Sequence, residues 1–188
     1  DRPHILFCKA TGRFVCWIKI MEKDGTQDYT ILSAEHLLGP YKLEKEHFRP
    51  FGFSGGDFDL AQENGEACIF FEKVHSEMIC ARLTPDHLDV EEGVCFLERP
   101  HPPFVREAPA HFARENTHYL ITSGTTGYFP NPSLLCTAKQ LFAAYTEAGD
   151  PHSGDLSRTS FHSQISSVFR IPGQNVWIAL ADRWLPDC

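Results

Sequence analysis

Four polar side chains stand at matching distances ahead of four short turns. Asp1 lies 11 residues before Gly12, Asp57 lies 8 before Gly65, Glu107 lies 9 before Asn116, and Gln164 lies 9 before Gly173. Three carboxyl groups and an amide brought to one concave surface suit general acid–base chemistry. One carboxylic acid protonates a leaving oxygen while another carboxylate orients water or holds the opposite charge state, which is the pairing that cleavage of a glycosidic bond requires. Each of the four sits in a small or stiff local sequence: Asp1-Arg2-Pro3, Ser54-Gly55-Gly56-Asp57, Arg106-Glu107-Ala108-Pro109 and Phe161-His162-Ser163-Gln164. Taken singly, each carboxylate could cap a turn or pair with Arg2, Arg106 or Arg158 as an ordinary solvated ion pair. Four in register favour a site.

The turns themselves repeat. Gly12, Gly65, Asn116 and Gly173 are separated by 53, 51 and 57 residues, and each joins two short runs rich in β-branched and aromatic residues. Fifty-odd residues hold about four short strands with turns, the content of one propeller blade. Asn64-Gly65 is the strongest of the hairpin signals. Further strands are expected at Tyr29-Thr30-Ile31-Leu32 and across residues 78–83, the latter ending in a Thr84-Pro85-Asp86 turn. Residues 134–145 fit either a short helix or continued strand. The pattern therefore predicts an all-β chain whose single domain, residues 1–188, is a partial β-propeller of three to four blades. A sandwich of many short strands is the other architecture that fits. The fourth turn lies close to Cys188, so the arc is expected to be open, with a further segment or self-association covering its edge.

Composition narrows the partners. A net charge of −8, from 25 acidic and 17 basic residues, disfavours a phosphate-binding surface, so no nucleic-acid partner is expected. No window approaches the roughly 18 apolar residues of a spanning helix, and no membrane role is expected. Seven cysteines lack paired metal spacing and read as buried free thiols; no histidine pair has ligand spacing, and neither metal nor cofactor is expected. The odd cysteine count and the absence of a secretory pattern lean toward a reducing, cytoplasmic setting without fixing the localisation.

The ordered motifs Asp1-Arg2-Pro3-His4, Gly56-Asp57-Phe58-Asp59-Leu60, Arg106-Glu107-Ala108-Pro109-Ala110, residues 119–128, Asn131-Pro132, Phe161-His162-Ser163-Gln164 and residues 181–187 span nearly the entire chain. Together they resemble family-43 glycoside hydrolases, five-bladed propellers, and within them the exo-β-1,3-galactanase branch. That resemblance implies an inverting exo-hydrolase of β-1,3-galactan or a related plant polysaccharide side chain. Glu107 matches the general acid, Asp57 the carboxylate that tunes and orients it, and Gln164 the amide that positions the attacking water. Asp1 falls where that branch has a sugar-contacting Glu. The resemblance also implies a first blade before Asp1 and a closing strand after Cys188. Tyr128 and Trp184, with Phe129 and Phe161, are candidate apolar platforms for a sugar ring. A β-xylosidase or α-L-arabinofuranosidase, and a non-catalytic carbohydrate-binding propeller remnant, remain the alternatives. As the acid, Glu107 must have its pKa raised by partial burial and by a neighbouring carboxylate such as Asp57.

Overall fold

The computed structural model describes residues 2–99 and 101–185, so Asp1 and Cys188 lie outside the described residues. Three four-stranded antiparallel sheets follow one another along the chain. The first is β1 (His4–Cys8), β2 (Arg13–Met21), β3 (Gln27–Ala34) and β4 (Lys42–Phe48); the second is β5 (Gly55–Glu63), β6 (Glu66–Lys73), β7 (Glu77–Leu83) and β8 (Val90–Phe96). The third is β9 (Arg106–Arg114), β10 (Thr117–Gly124), β11 (Leu134–Ala138) and β12 (Thr146–Gly149), and a hairpin of β13 (Ser163–Arg170) and β14 (Trp177–Arg183) completes the arc. Spatial order equals chain order in every sheet, which is the meander of a propeller blade. The first strands of successive blades pack on one another, β1 on β5, β5 on β9 and β9 on β13, so they are the innermost strands.

The inner hairpins form where their turn residues permit. Asn64 and Gly65 both take positive φ (51° and 88°) between paired Glu63 and Glu66, the two-residue turn whose twist matches the strands it joins. In the third blade Glu115, not Asn116, carries the left-handed conformation, at φ 56° between paired Arg114 and Thr117. Residues 134–145, which the sequence left open between helix and strand, form β11 and a loop that returns Leu141 and Tyr145 to the core.

Strand alternation builds the core between blades rather than within one sheet. From β6, Ile69 and Phe71 face the first blade and pack with Trp17, Tyr29, Ile31, Phe58 and Ile79. The alternate residues Cys68 and Phe70 face the third blade and pack with Met78, Cys80, Leu120, Cys136, Leu141 and Tyr145. Both faces of β6 and β7 are thus buried, which is why these two strands read as near-continuous apolar runs. Each fully buried aromatic or branched side chain contributes about 1.5–3 kcal/mol of transfer free energy. Directed contacts fix the blades' relative placement: the Trp17 indole donates to His87 O at 3.0 Å, and the Tyr29 hydroxyl donates to Gly56 O at 2.8 Å. Cys8, Cys16, Cys68, Cys80 and Cys136 are buried free thiols, whereas Cys95 is exposed.

Candidate active site

The inner strands begin at His4, Gly55, Arg106 and Ser163, beside the four sequence positions. Three of these strands carry a bulge near their start, and bulges re-aim side chains next to sites. In β5 the pairing register shifts between Gly55 and Phe58, leaving Gly56 and Asp57 opposite Glu72. The two glycines are required there by close approach. A Cβ on Gly55 would lie 2.5 Å from the Tyr29 ring, and one on Gly56 would lie 2.2 Å from Glu72 Oε2. In β9 the shift places Ala108, at φ 48°, and Pro109 opposite Thr122. Pro109 has no N–H to lose, and a bulge is where a strand tolerates it. In β13 the shift falls between Ile165 and Ser167, just after Gln164 and below three consecutive positive-φ residues, Ser160, Phe161 and His162.

These strand starts bring Asp57, Glu107 and Gln164 to one open cleft of roughly 530 Å³. Arg2, Lys19, Glu72, Tyr128, Asp182 and Trp184 line it with them. Lys19 Nζ lies 2.5 Å from Asp57 Oδ1, with both side chains largely buried. The Gln164 amide nitrogen donates to Ser123 Oγ at 2.6 Å and to Glu107 Oε1 at 3.3 Å. Its oxygen accepts from Arg2 Nη2 at 3.0 Å, which leaves one lone pair of that oxygen open to another donor such as water. Arg2 Nη2 also meets Asp182 Oδ2 at 2.5 Å.

Burial, reinforced by the charges of Asp57 and Glu72, pushes the Glu107 carboxyl up to about 8; the Gln164 N–H and the Lys19 charge act in the opposite direction. Glu72 is itself raised, first by burial, although it accepts the His75 backbone N–H at 2.9 Å. Glu107 is therefore a carboxylic acid at neutral pH, able to deliver a proton into the cleft. Arg106 is not its ion-pair partner. That guanidinium is buried and donates to Thr122 Oγ1 at 3.1 Å, Thr122 O at 2.6 Å and Pro132 O at 3.2 Å, tying β9 to β10 and the loop beyond.

Tyr128 and Trp184 meet edge to face at 6.0 Å on the cleft wall, and Tyr128 is 79% exposed. Phe129 is exposed and absent from the wall, and Phe161 stacks edge to face on His152 outside it. Sequence reasoning missed Lys19 and Glu72; it held Ser123 and Asp182 only inside longer motifs, and Arg2 inside a motif and as a possible ion-pair partner of a carboxylate, which it is, to Asp182. A signal existed for both missed residues: Lys19 is a lone charge between Ile18 and Ile20, and Glu72 ends the apolar run of residues 67–71. Glu22, Asp28 and His47, which are not among the lining residues of the cleft, form a cluster in which His47 Nδ1 lies 3.2 Å from both carboxylates.

No family model and no curated protein matches the sequence. Solved structures do. A GH43 β-1,3-galactosidase with bound galactodeoxynojirimycin superposes with a TM-score of 0.85 at 21% identity, over 99% of this chain and 68% of its own. A second GH43 β-1,3-galactosidase gives 0.83 at 23% identity, over 99% and 40%. An exo-β-1,3-galactanase from Clostridium thermocellum gives 0.79 at 21%, over 98% and 42%. The chain thus spans between 40% and 68% of the length of these three. The described residues have the all-β fold of the family-43 glycoside hydrolase propellers, in three blades and the first hairpin of a fourth.

Proposed function

We propose that the chain carries the acid-catalytic part of an inverting exo-glycosidase acting on terminal β-1,3-linked galactose, with Glu107 as the general acid. The observation that supports this most is the Glu107 carboxyl, held protonated to about pH 8 in an open cleft it shares with Asp57. Glu107 gives its proton to the glycosidic oxygen as the bond from that oxygen to the anomeric carbon breaks. A water adds to the carbon from the opposite face, its proton leaving to solvent, and the spent carboxylate regains a proton through the open cleft. Asp57 keeps the proton affinity of Glu107 high and adds negative charge near the developing oxocarbenium ion. Gln164 anchors Glu107 and offers its remaining oxygen lone pair to the water. Tyr128 and Trp184 give the sugar an apolar wall, and Asp1, outside the described residues, is assigned a sugar contact by the family resemblance alone. The names of the similar structures, β-1,3-galactosidase and exo-β-1,3-galactanase, support galactose over a pentose.

Hydrolysis of β-1,3-galactobiose, set beside aryl β-galactoside, β-xyloside and α-arabinoside, tests this reading. Turnover of the galactosides supports it; turnover of the pentosides alone rejects the galactose assignment, and binding of galactobiose without turnover of any substrate rejects catalysis.

Ile5 and Phe7 alternate with inward residues of β1, and Phe169 and Leu180 are exposed on the last hairpin. These apolar positions at the two ends of the arc support a covering segment or a second copy. Light scattering tests this: a monodisperse monomer of the isolated chain speaks against it.

A further inference from the structure

An amide side chain has two nearly isosteric ends, and only its neighbours decide which points where. For Gln164 the deciding neighbour is Arg2. A guanidinium has donors and no acceptor, so the Gln164 atom 3.0 Å from Arg2 Nη2 must be the oxygen. The nitrogen then faces Ser123 Oγ at 2.6 Å and Glu107 Oε1 at 3.3 Å. Arg2 is held in turn from the adjacent strand. Asp182 is the partner of Gln164 in the β13–β14 register, and its Oδ2 lies 2.5 Å from the same Nη2. The hairpin therefore presents two acceptors side by side, and one guanidinium nitrogen bridges them.

The orientation has a consequence for the acid. Glu107 Oε1 accepts an N–H and so is the carbonyl-type oxygen of the neutral carboxyl, which leaves the proton on Oε2. A flipped Gln164 would turn its oxygen toward Glu107 and accept that proton, and the internal hydrogen bond would compete with delivery to a leaving oxygen. We propose that Arg2 is a positioning residue of the reaction above: it fixes the Gln164 amide with its N–H toward Glu107 and so places the acidic proton on Oε2. The inference rests on Glu107 being the acid. The ionisable groups whose charges act on Glu107 are Asp57 from β5, Glu72 from β6 and Lys19 from β2, with the buried Arg106 guanidinium beside it in β9.

The test is a double-mutant cycle of Arg2→Met and Gln164→Leu, with Arg2→Lys as the conservative variant. Two readouts are taken: the titration of the Glu107 side-chain carboxyl by ¹³C NMR, assigned against Glu107→Gln, and kcat and KM for β-1,3-galactobiose and an activated aryl β-galactoside. Arg2→Met is expected to raise the Glu107 midpoint, because an N–H that stabilised the carboxylate is lost. It should lower kcat for the disaccharide about tenfold, a fraction of what general-acid assistance supplies, with KM unchanged and the aryl substrate little affected. Arg2→Lys should recover part of both. In the Gln164→Leu background, Arg2→Met should cost no further kcat. An undiminished midpoint shift and kcat loss in that background would show that Arg2 acts directly through its charge and overturn the inference, as would a raised KM with kcat preserved. Normal disaccharide turnover by Glu107→Gln would instead defeat the underlying reading of the acid, and the NMR cycle would still report whether Arg2 and Gln164 are coupled.

Discussion

Lys19 Nζ lies 2.5 Å from Asp57 Oδ1 on the wall that Asp57 shares with Glu107, so the carboxylate that raises the proton affinity of Glu107 is itself partly balanced by a cation. The Glu107 proton affinity is a resultant: burial, Asp57 and Glu72 push it up, while Lys19 and the Gln164 N–H pull it down.

Replacing Lys19 with Met removes one of the downward influences. Glu107 should then hold its proton to higher pH, and the basic limb of kcat/KM should move upward from its wild-type position. Leaving a largely buried Asp57 without this partner should also cost about 1–3 kcal/mol of stability, between the exposed and fully buried limits for an ion pair. A pH–rate profile with denaturant melts of both proteins checks this; an unmoved basic limb would show that Lys19 does not act on the acid.

Gly55 and Gly12 should respond differently to alanine. At Gly55 the new Cβ meets the ring of the fully buried Tyr29 at 2.5 Å inside the core between two blades. Overpacking of this kind costs about 1–3 kcal/mol. At Gly12 nothing lies within 4 Å, and the cost is confined to its positive φ of 67°, about 1 kcal/mol. Denaturation midpoints for the two variants decide the matter, and a larger loss at Gly12 would contradict the packing derived for the Gly55–Gly56 bulge.

The blades were legible because each begins with an inner hairpin whose turn residues are constrained: Asn64-Gly65 needs positive φ at both positions and therefore marks itself in the sequence. The starts of the inner strands followed, and with them Asp57, Glu107 and Gln164 on one cleft. The bulges were not legible, since nothing in Ala108 announces a φ of 48° and the third turn places its left-handed residue at Glu115 rather than at Asn116. Lys19 and Glu72 were missed for a different reason. A single charge in a strand ordinarily marks a solvent-facing position, and only the neighbouring blade reveals that these two face a shared cleft. Arg106 was weighed as a surface partner for a carboxylate, and it is instead a buried clamp on backbone carbonyls.

Glu107→Gln should stabilise the fold in a pH-dependent way. In the folded chain the carboxyl keeps its proton to about pH 8, whereas an unfolded glutamate releases it near its ordinary value of 4.5. As pH rises between those two values the unfolded state alone gives up a proton, so the wild type loses stability across that window and levels off above it. Glutamine has no proton to lose. The variant should match the wild type near pH 4 and exceed it near pH 8 by on the order of a few kcal/mol. Melts at the two pH values suffice, and an equal difference at both would mean that Glu107 titrates normally.

The role of Glu107 as the acid is tested most directly by comparing Glu107→Gln with the wild type on two substrates in one assay, β-1,3-galactobiose and an aryl β-galactoside with a good leaving group. Glutamine keeps the shape and hydrogen bonding of the carboxyl but has no acidic proton to deliver. Turnover of the disaccharide should fall roughly 10²- to 10⁴-fold, while the activated substrate, whose leaving group needs little protonation, should lose far less. Near-normal hydrolysis of the disaccharide by Glu107→Gln, or an equal loss on both substrates, would contradict the assignment.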